Sequence, residues 1–389
     1  MTSGLFVLGL AYVLSQFFRA FLAVLAPVLK TDLGADPDAL ALASGMWFLS
    51  FAAMQIPVGW ALDTLGPRRT AAALLLVGGA GGASVFALAT MPGHIAIAMA
   101  LIGVGCSPVL MASYYIFARQ FPARQFATLA ALMVGLGSVG NLIASYPMAL
   151  SADLLGWRAS LFGLAGLSAL TALGILVLVR DPPKPEGEAQ GSLRELLRLP
   201  ALWLILPLMF VNYAPAGALR GLWIGPYLAD TFDLSTQQIG QATLAMGLAM
   251  ILGTLAYGPL DRVFGSRKWV VVGGSVMTIA CLGVLTLLPA LGPVLSTGLL
   301  AGVGFFGAAY PMMVAHGRGF LPPHLVGRGV TLLNLFSIGG VGVMQFVSGR
   351  VHADVVAGGG APYPVLFALF GGALLIGLVF YLFSRDSTA

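Results

Sequence analysis

The chain has 389 residues, of which 59% are hydrophobic and only 8% are charged. A soluble globular protein carries about 25% charged residues, so this composition excludes a water-covered domain, a disordered chain and a coiled coil. The net charge of +5 does not indicate nucleic acid, because the basic residues of membrane proteins collect in cytoplasmic loops. The composition therefore predicts an integral membrane protein.

Apolar stretches of about 20 residues, the length needed to cross a bilayer, follow one another along the whole chain. In chain order we predict twelve spans, at 4–29, 40–62, 70–90, 94–118, 126–151, 159–180, 201–228, 237–260, 268–289, 293–317, 328–351 and 362–384. The first stretch lacks the basic start of a secretory signal and is interrupted by Arg19, so we expect a retained helix.

A single long polar segment separates six spans from the next six. It predicts a six-helix bundle over 1–180, a cytoplasmic linker over 181–200 and a second bundle over 201–389. Of the 19 basic residues, 14 fall on the linker side of the membrane, 3 fall on the other side, and Arg19 and Arg220 lie within spans. The positive-inside rule then places both termini in the cytoplasm, and we expect a bacterial inner (plasma) membrane.

The two halves share a spacing pattern. Tyr12, Arg19 and Asp32 recur 201 residues later as Tyr213, Arg220 and Asp233. Two six-helix halves in the same orientation imply a pseudo-twofold axis along the membrane normal. The fold class that follows is all-α, with twelve transmembrane helices in two pseudo-symmetric bundles.

A charged motif follows span two and recurs, in a degenerate form, after span eight. The first copy consists of Gly59, Asp63, Gly66, Arg68 and Arg69, and the second retains Asp261, Arg267 and Lys268. With this motif and its six plus six spans, the chain resembles the major facilitator superfamily over essentially its whole length. The resemblance implies an alternating-access transporter with a central cavity, in which the motif helps to hold the cytoplasmic gate closed.

The residue types of the motif suggest separate roles. Gly59 lets another helix approach closely, and Asp63 can meet a helix N-terminus or an arginine. Arg68 and Arg69 can pair with acidic groups or lipid phosphates, which makes membrane lipid an expected partner. The alternative is that the two arginines only set the topology.

Two cations lie at membrane depth, whereas the 14 acidic residues all fall in loops or at helix ends. Arg19 and Arg220 each cost about 2.5–3.5 kcal/mol at the bilayer centre. Snorkelling or pairing with backbone carbonyls would relieve part of this cost. Because the two arginines occupy matching positions in the two halves, we interpret them as a site for an anion.

Helical spacing supplies neighbours for each arginine. Tyr12 and Gln16 share a helix face with Arg19, and Tyr213 shares a face with Arg220, with Asn212 just beside it. Tyr12 and Tyr213 could instead be packing or interfacial aromatics. Further polar candidates on other spans are Tyr114, Tyr115, Tyr310, Asn334 and Gln345. The four histidines, His94, His316, His324 and His352, lie near span ends or in loops and are expected at the interface.

The leading functional hypothesis is a secondary transporter of a small organic anion, either a carboxylate or a phosphate ester. The arginine pair resembles those of the organophosphate antiporters and the anion:cation symporters within the superfamily. The alternatives are an exporter of lipophilic drugs or metabolites and a non-transporting sensor on a carrier fold. No catalytic, metal or nucleotide motif occurs, so we expect no enzyme activity, no cofactor and no nucleic-acid partner. We expect a monomer.

Overall fold

The computed structural model describes residues 2–121, 123–182, 193–322 and 326–386. Within these ranges the chain forms helices and turns and contains no strand. In the described part of the chain nine helices are long and apolar enough to cross a membrane, and the number of spans is twelve when each of three bent helix pairs is counted as one span. The predicted all-α membrane fold is confirmed.

Large apolar side chains are exposed on the outside of these helices. Val177 is 77% exposed, Leu287 is 79% exposed and Val294 is 85% exposed. A water-soluble protein rarely exposes so much apolar surface, whereas lipid tails solvate it without cost. The helix exteriors therefore suit a bilayer.

The chain forms two compact units. Unit one takes in Met1–Gly187 with Ser235–Gln241, and unit two takes in Glu188–Leu234 with Ala242–Ala389. Each unit has its own apolar core, which in unit one includes Leu8, Ile116 and Ile175 and in unit two Leu208, Val271 and Leu374.

Unit one contains the first six spans. Span one consists of Thr2–Phe18 and Leu22–Leu33, and span two of Pro37–Ala53 and Gln55–Thr64. Span three runs through Pro67–Leu74, a π-helical turn at Leu75–Ala80 and Gly81–Ala87. Spans four to six are formed by Pro92–Cys106 with Val109–Gln120, Ala123–Ile143 with Tyr146–Leu155, and Trp157–Leu178.

Unit two begins with a short helix, Leu193–Leu196, and continues with the other six spans. Span seven consists of Pro200–Asn212, Ala214–Ala218, a π-helical turn at Leu219–Trp223 and Ile224–Phe232. Spans eight and nine are Thr236–Phe264 and Arg267–Leu287. Spans ten to twelve are Pro293–Phe306 with Tyr310–Arg318, Val326–Ala357 and Pro362–Leu382.

Proline explains two of the three bends. Span two bends by 41° and span five by 42°. The first helix of each pair ends four residues before a proline, at Ala53 before Pro57 and at Ile143 before Pro147. Proline has no N–H to bond to that carbonyl, so the helix is interrupted there. Span one bends more, by 52°, and its break at residues 19–21 contains Arg19 instead of a proline.

Glycines let the fifth helix of each unit touch the first. In unit one, a Cβ on Gly140 would overlap the carbonyl of Val13, and in unit two a Cβ on Gly340 would overlap the carbonyl of Phe210. Without a side chain, the two backbones reach van der Waals contact at each crossing. The repeat seen in the sequence thus reappears as the same helix crossing in both units.

Candidate functional site

Arg19 lies in unit one at the break in span one, and its side chain is half-buried. Its guanidinium carbon is 5.4 Å from the centre of the Trp47 ring on span two, a cation–π arrangement. Cys106 of span four lies nearby, close to Ser15. A broken transmembrane helix carrying a charged side chain is typical of a substrate site in transporters.

The neighbours predicted for Arg19 come together in unit one. Tyr12 and Gln16 are buried on span one, and the Asn141 amide of span five donates to Gln16 Oε1 over 3.4 Å. Tyr114 of span four packs against the same apolar core as Tyr12. Asn141 is not among the residues that the sequence predicted for the site.

Arg220 lies in unit two within the π-helical turn of span seven and is only 3% exposed. A Cβ placed on Gly247 of span eight would lie 3.0 Å from Arg220 Nη2, so the glycine backbone borders the guanidinium directly. π-Helical turns are rare and are frequent at functional sites. Both arginines therefore lie where a regular helix is interrupted.

Of the other candidates in unit two, Gln345 contacts the span that carries Arg220, whereas Tyr310 and Asn334 bond to each other. Gln345 of span eleven is fully buried and donates over 3.4 Å to the carbonyl of Ala218, two residues before Arg220. Tyr310 donates to Asn334 Oδ1 over 2.9 Å, which joins spans ten and eleven.

Asn212 and Tyr213 begin the turn that precedes Arg220. Asn212 points its amide at Ser275 Oγ of span nine, 3.5 Å away, and is 2% exposed. The Tyr213 ring lies beside Gly217, one turn further along span seven. This geometry gives Asn212 a packing role within the unit and leaves Tyr213 on the side of the helix that leads to Arg220.

The loop motif of unit one is anchored by an acid that the sequence analysis had not assigned to it. Asp181, directly after span six, accepts a hydrogen bond from the Arg68 backbone N–H over 2.8 Å, and its carboxylate is 3.6 Å from Arg68 Nε. Gly66 has φ of +91°, and a Cβ there would lie 3.0 Å from the Asp181 carboxylate. Glycine is required at this position for both reasons.

Unit two repeats this arrangement with Asp386, which follows span twelve. Asp386 accepts from the Lys268 backbone N–H over 3.1 Å and from the Ser266 hydroxyl. Lys268 Nζ donates to the carbonyls of Leu382 and Ser384. The sequence signal for both anchors is an Arg-Asp pair at 180–181 and 385–386, directly after the sixth span of each half.

The remaining motif residues are more exposed. The Asp63 carboxylate lies close to the Tyr115 hydroxyl, and the Arg119 guanidinium carbon lies 3.8 Å from the centre of the Tyr115 ring. Tyr115 therefore belongs to the motif and does not lie with Tyr12. No described atom of unit one lies within 4 Å of a Cβ on Gly59, so the close approach expected there is not made within the unit.

The other three motif residues differ in exposure. Arg69 is exposed, Arg267 is half-buried, and the side chain of Asp261 is outside the described part of the chain.

We expect Asp63→Asn to slow transport about tenfold, which corresponds to a loss of gate stabilisation of about 1.4 kcal/mol. Substrate affinity and melting temperature should stay unchanged, because Asp63 is exposed and the substitution keeps the size of the side chain. The measurement is uptake into proteoliposomes beside equilibrium binding. Asp181→Asn is the matched control, since its loss of a charged helix cap should lower the melting temperature. Uptake by Asp63→Asn at the wild-type rate would remove the gating role.

The histidines depart from their expected interfacial setting. His316 is fully buried in unit two, where its ring bonds the Tyr381 hydroxyl at 2.7 Å and the Arg385 carbonyl at 3.0 Å. His352 is 5% exposed and lies 5.1 Å from the Trp223 ring. His94 is half-buried beside Thr90, and His324 is outside the described residues. Tertiary packing buries two histidines whose positions near span ends predicted contact with the interface.

The sequence matches the Major Facilitator Superfamily over residues 8–224, more than half of the chain. A relative from Cupriavidus necator, described as "Probable sulfoacetate transporter SauU", is 22% identical over 306 residues, which is 70% of each chain. Sialic acid transporter NanX of Escherichia coli K12 is 25% identical over 201 residues, covering 49% of this chain and 48% of NanX.

Solved structures show the same fold. The nucleoside transporter NupG matches with a TM-score of 0.77 at 16% identity, covering 98% of this chain and 99% of that one. The D-xylose-proton symporter matches with a TM-score of 0.76 at 17% identity, covering 99% and 98%. Proteins of this kind are transporters and not enzymes. The chain, with its two units and apolar spans, belongs to the major facilitator superfamily of membrane transporters.

Proposed function

We propose that this protein is a secondary transporter of a small organic anion that works by alternating access, with Arg19 and Arg220 each contributing to the binding of the substrate. The observation that carries the proposal is the charge at membrane depth. Both arginines lie on interrupted helices, and no Asp or Glu is buried among the described residues. An anionic ligand is then the natural counter-charge.

The energetics favour a ligand that carries negative charge. Two arginines in the bilayer cost about 5–7 kcal/mol on insertion scales, which a protein keeps only for a function. A carboxylate, sulfonate or phosphate ester accepts forked hydrogen bonds from a guanidinium and offsets part of that cost. A ligand that binds one state of the transporter more tightly than the other also shifts the conformational equilibrium.

The relatives support the same class of substrate. Sulfoacetate and sialic acid, the compounds in their names, are both small organic acids that are ionised at neutral pH. They share a carboxylate and differ in size and in their second polar group. We therefore place the substrate among small carboxylates that carry a further acidic or hydroxyl group.

A thermal-shift screen of the purified protein tests this function. We expect sulfoacetate, sialic acid or a small phosphate ester to raise the melting temperature, since a ligand at 100 times its Kd stabilises by about 2.7 kcal/mol. Xylose, which is neutral, is the control and should have no effect. If none of the anions raises the melting temperature or exchanges across proteoliposomes, the anion assignment is wrong.

We also place both termini on the cytoplasmic side of a bacterial inner membrane. The support is the 14 to 3 division of basic residues between the two sides, with Arg19 and Arg220 excluded from the count. Labelling of a Gly187→Cys variant by an impermeant maleimide from the periplasmic side would contradict this orientation.

A further inference from the structure

Trp47 carries a buried hydrogen-bond donor with no acceptor among the residues that the structure describes. The side chain is 0% exposed, and its Nε1 makes no hydrogen bond there. Arg19 Nε is a second buried donor that makes no hydrogen bond among the described residues. The two groups are neighbours, because the Arg19 guanidinium lies over the Trp47 ring.

The other buried tryptophans show that this fold normally supplies an acceptor. Trp157 donates to Asp32 Oδ2 over 2.8 Å, and Trp223 donates to Ser348 Oγ over 2.9 Å. Buried N–H groups in native proteins nearly always have a partner, and the exceptions usually have a functional reason or an unseen ligand. Trp47 is such an exception, and it lies beside the charge that we assign to substrate binding.

Other contacts hold the Trp47 ring in place. It stacks on Phe51 at 5.1 Å and meets Phe48 edge-on at 4.9 Å. On the backbone side, Gly103 of span four packs against the Trp47 carbonyl. Span four therefore fixes the backbone and the phenylalanines fix the ring, so that the indole N–H is held in one place. A donor fixed in this way can select a ligand by shape.

We propose that Trp47 is a specificity-determining residue of the anion site, whose indole N–H donates to an oxygen that the Arg19 fork does not reach. The proposal rests on the anion transport function proposed above. A carboxylate has two oxygens, and a guanidinium fork can satisfy both. A sulfonate has a third oxygen, directed out of the plane of that fork, and it needs a further donor. The indole N–H of Trp47 supplies one.

The second unit offers no equivalent donor at the matching position. The repeat offset of 201 residues matches Trp47 with Leu248, which has no hydrogen-bond donor in its side chain, and the adjacent Gly247 borders Arg220 only with its backbone. Arg19 thus has an indole beside it where Arg220 has a glycine. We assign the sulfonate end of a sulfonate-carboxylate substrate to Arg19 and Trp47.

The test compares two anions that differ only at one end. Sulfoacetate has a sulfonate where malonate has a carboxylate, and both are bound to the purified wild-type protein and to Trp47→Phe. The substitution keeps an aromatic face for Arg19 and removes only the donor. We expect the Kd for sulfoacetate to rise about tenfold or more, as for the loss of one hydrogen bond to a charged group, and the Kd for malonate to change less than about threefold.

Trp60→Phe is the matched control, because Trp60 lies on the same span and is 65% exposed. It should change neither Kd. If Trp47→Phe does not fold, benzothienylalanine incorporated at position 47 replaces the N–H with sulfur at nearly the same size. Equal changes for the two anions on substitution of Trp47, or no change in the Kd for sulfoacetate, would overturn the proposal. Wild-type protein that binds another anion of the thermal-shift screen but not sulfoacetate would overturn the sulfonate assignment alone, whereas wild-type protein that binds no anion would contradict the transport function itself.

Discussion

Replacing either Arg19 or Arg220 with alanine is expected to weaken anion binding by about 2–5 kcal/mol, which no other single substitution in the site should match. Lysine should also bind poorly at either position. It keeps the charge, but a point charge cannot reproduce the planar fork of a guanidinium. The loss should be larger for Arg220→Lys, because Arg220 is only 3% exposed and has the Gly247 backbone directly beside it.

The alanine substitutions that weaken anion binding should not lower the stability of the ligand-free protein. Removing a cation from the bilayer relieves about 2.5–3.5 kcal/mol, so the ligand-free alanine variants should melt at the wild-type temperature or above it. Functional residues commonly lower the stability of the protein that carries them. A protein in which the arginines only serve structure would instead melt at a lower temperature when either is removed.

A double-mutant cycle on binding affinity measures whether the two arginines hold one ligand. Residues that share a partner lose less together than the sum of their separate losses. We therefore expect the double alanine variant to bind little worse than the weaker single variant. Strictly additive losses, or an Arg220→Ala protein with normal affinity, would show that the two side chains do not contact the same anion.

Gly340→Ala is expected to lower the melting temperature strongly. A single methyl group at Gly340 would overlap the carbonyl of Phe210, and a backbone carbonyl cannot move aside as a side chain can. Overpacking of this kind costs about 1–3 kcal/mol and occasionally more. Gly140→Ala should have a similar effect at the Val13 carbonyl in unit one.

Gly339, the residue before Gly340, provides a matched control for the Gly340→Ala prediction. A Cβ on Gly339 would meet no atom within 4 Å, and alanine favours helix over glycine by about 1 kcal/mol, so Gly339→Ala should be neutral or stabilising. The measurement is the melting temperature of each variant in the same detergent, without ligand. Equal melting temperatures for Gly339→Ala and Gly340→Ala would mean that the crossing of spans seven and eleven is looser than the structure shows.

The amino-acid sequence was sufficient for the membrane fold. Hydropathy is local, and a segment that crosses lipid must satisfy its backbone hydrogen bonds within itself, so long apolar stretches predict helical spans directly. The repeated spacing of Tyr12 and Arg19 at Tyr213 and Arg220 reveals the two halves for the same reason, since it needs no knowledge of contacts. The depth of both arginines follows from counting residues along a helix.

Only the tertiary structure decided which polar groups meet. Periodicity identifies the buried face of a helix by contrast with a polar face, and in a chain this apolar both faces look alike. Asn212 lies near Arg220 in sequence, yet its amide points at Ser275 on span nine. Tyr115, one residue from Tyr114, packs its ring against the Arg119 guanidinium instead.

Contacts between residues far apart in the chain could not be predicted from the sequence either. Asp181 meets Arg68 across 113 residues of sequence. Trp47 lies against Arg19 because spans one and two pack side by side and because span one breaks where Arg19 occurs. The sequence by itself determined that two positive charges cross into the membrane on matching helices. The packing of those helices decided that one charge has an indole beside it and the other a glycine, because neighbours on different helices are set by how the helices pack and not by their separation along the chain.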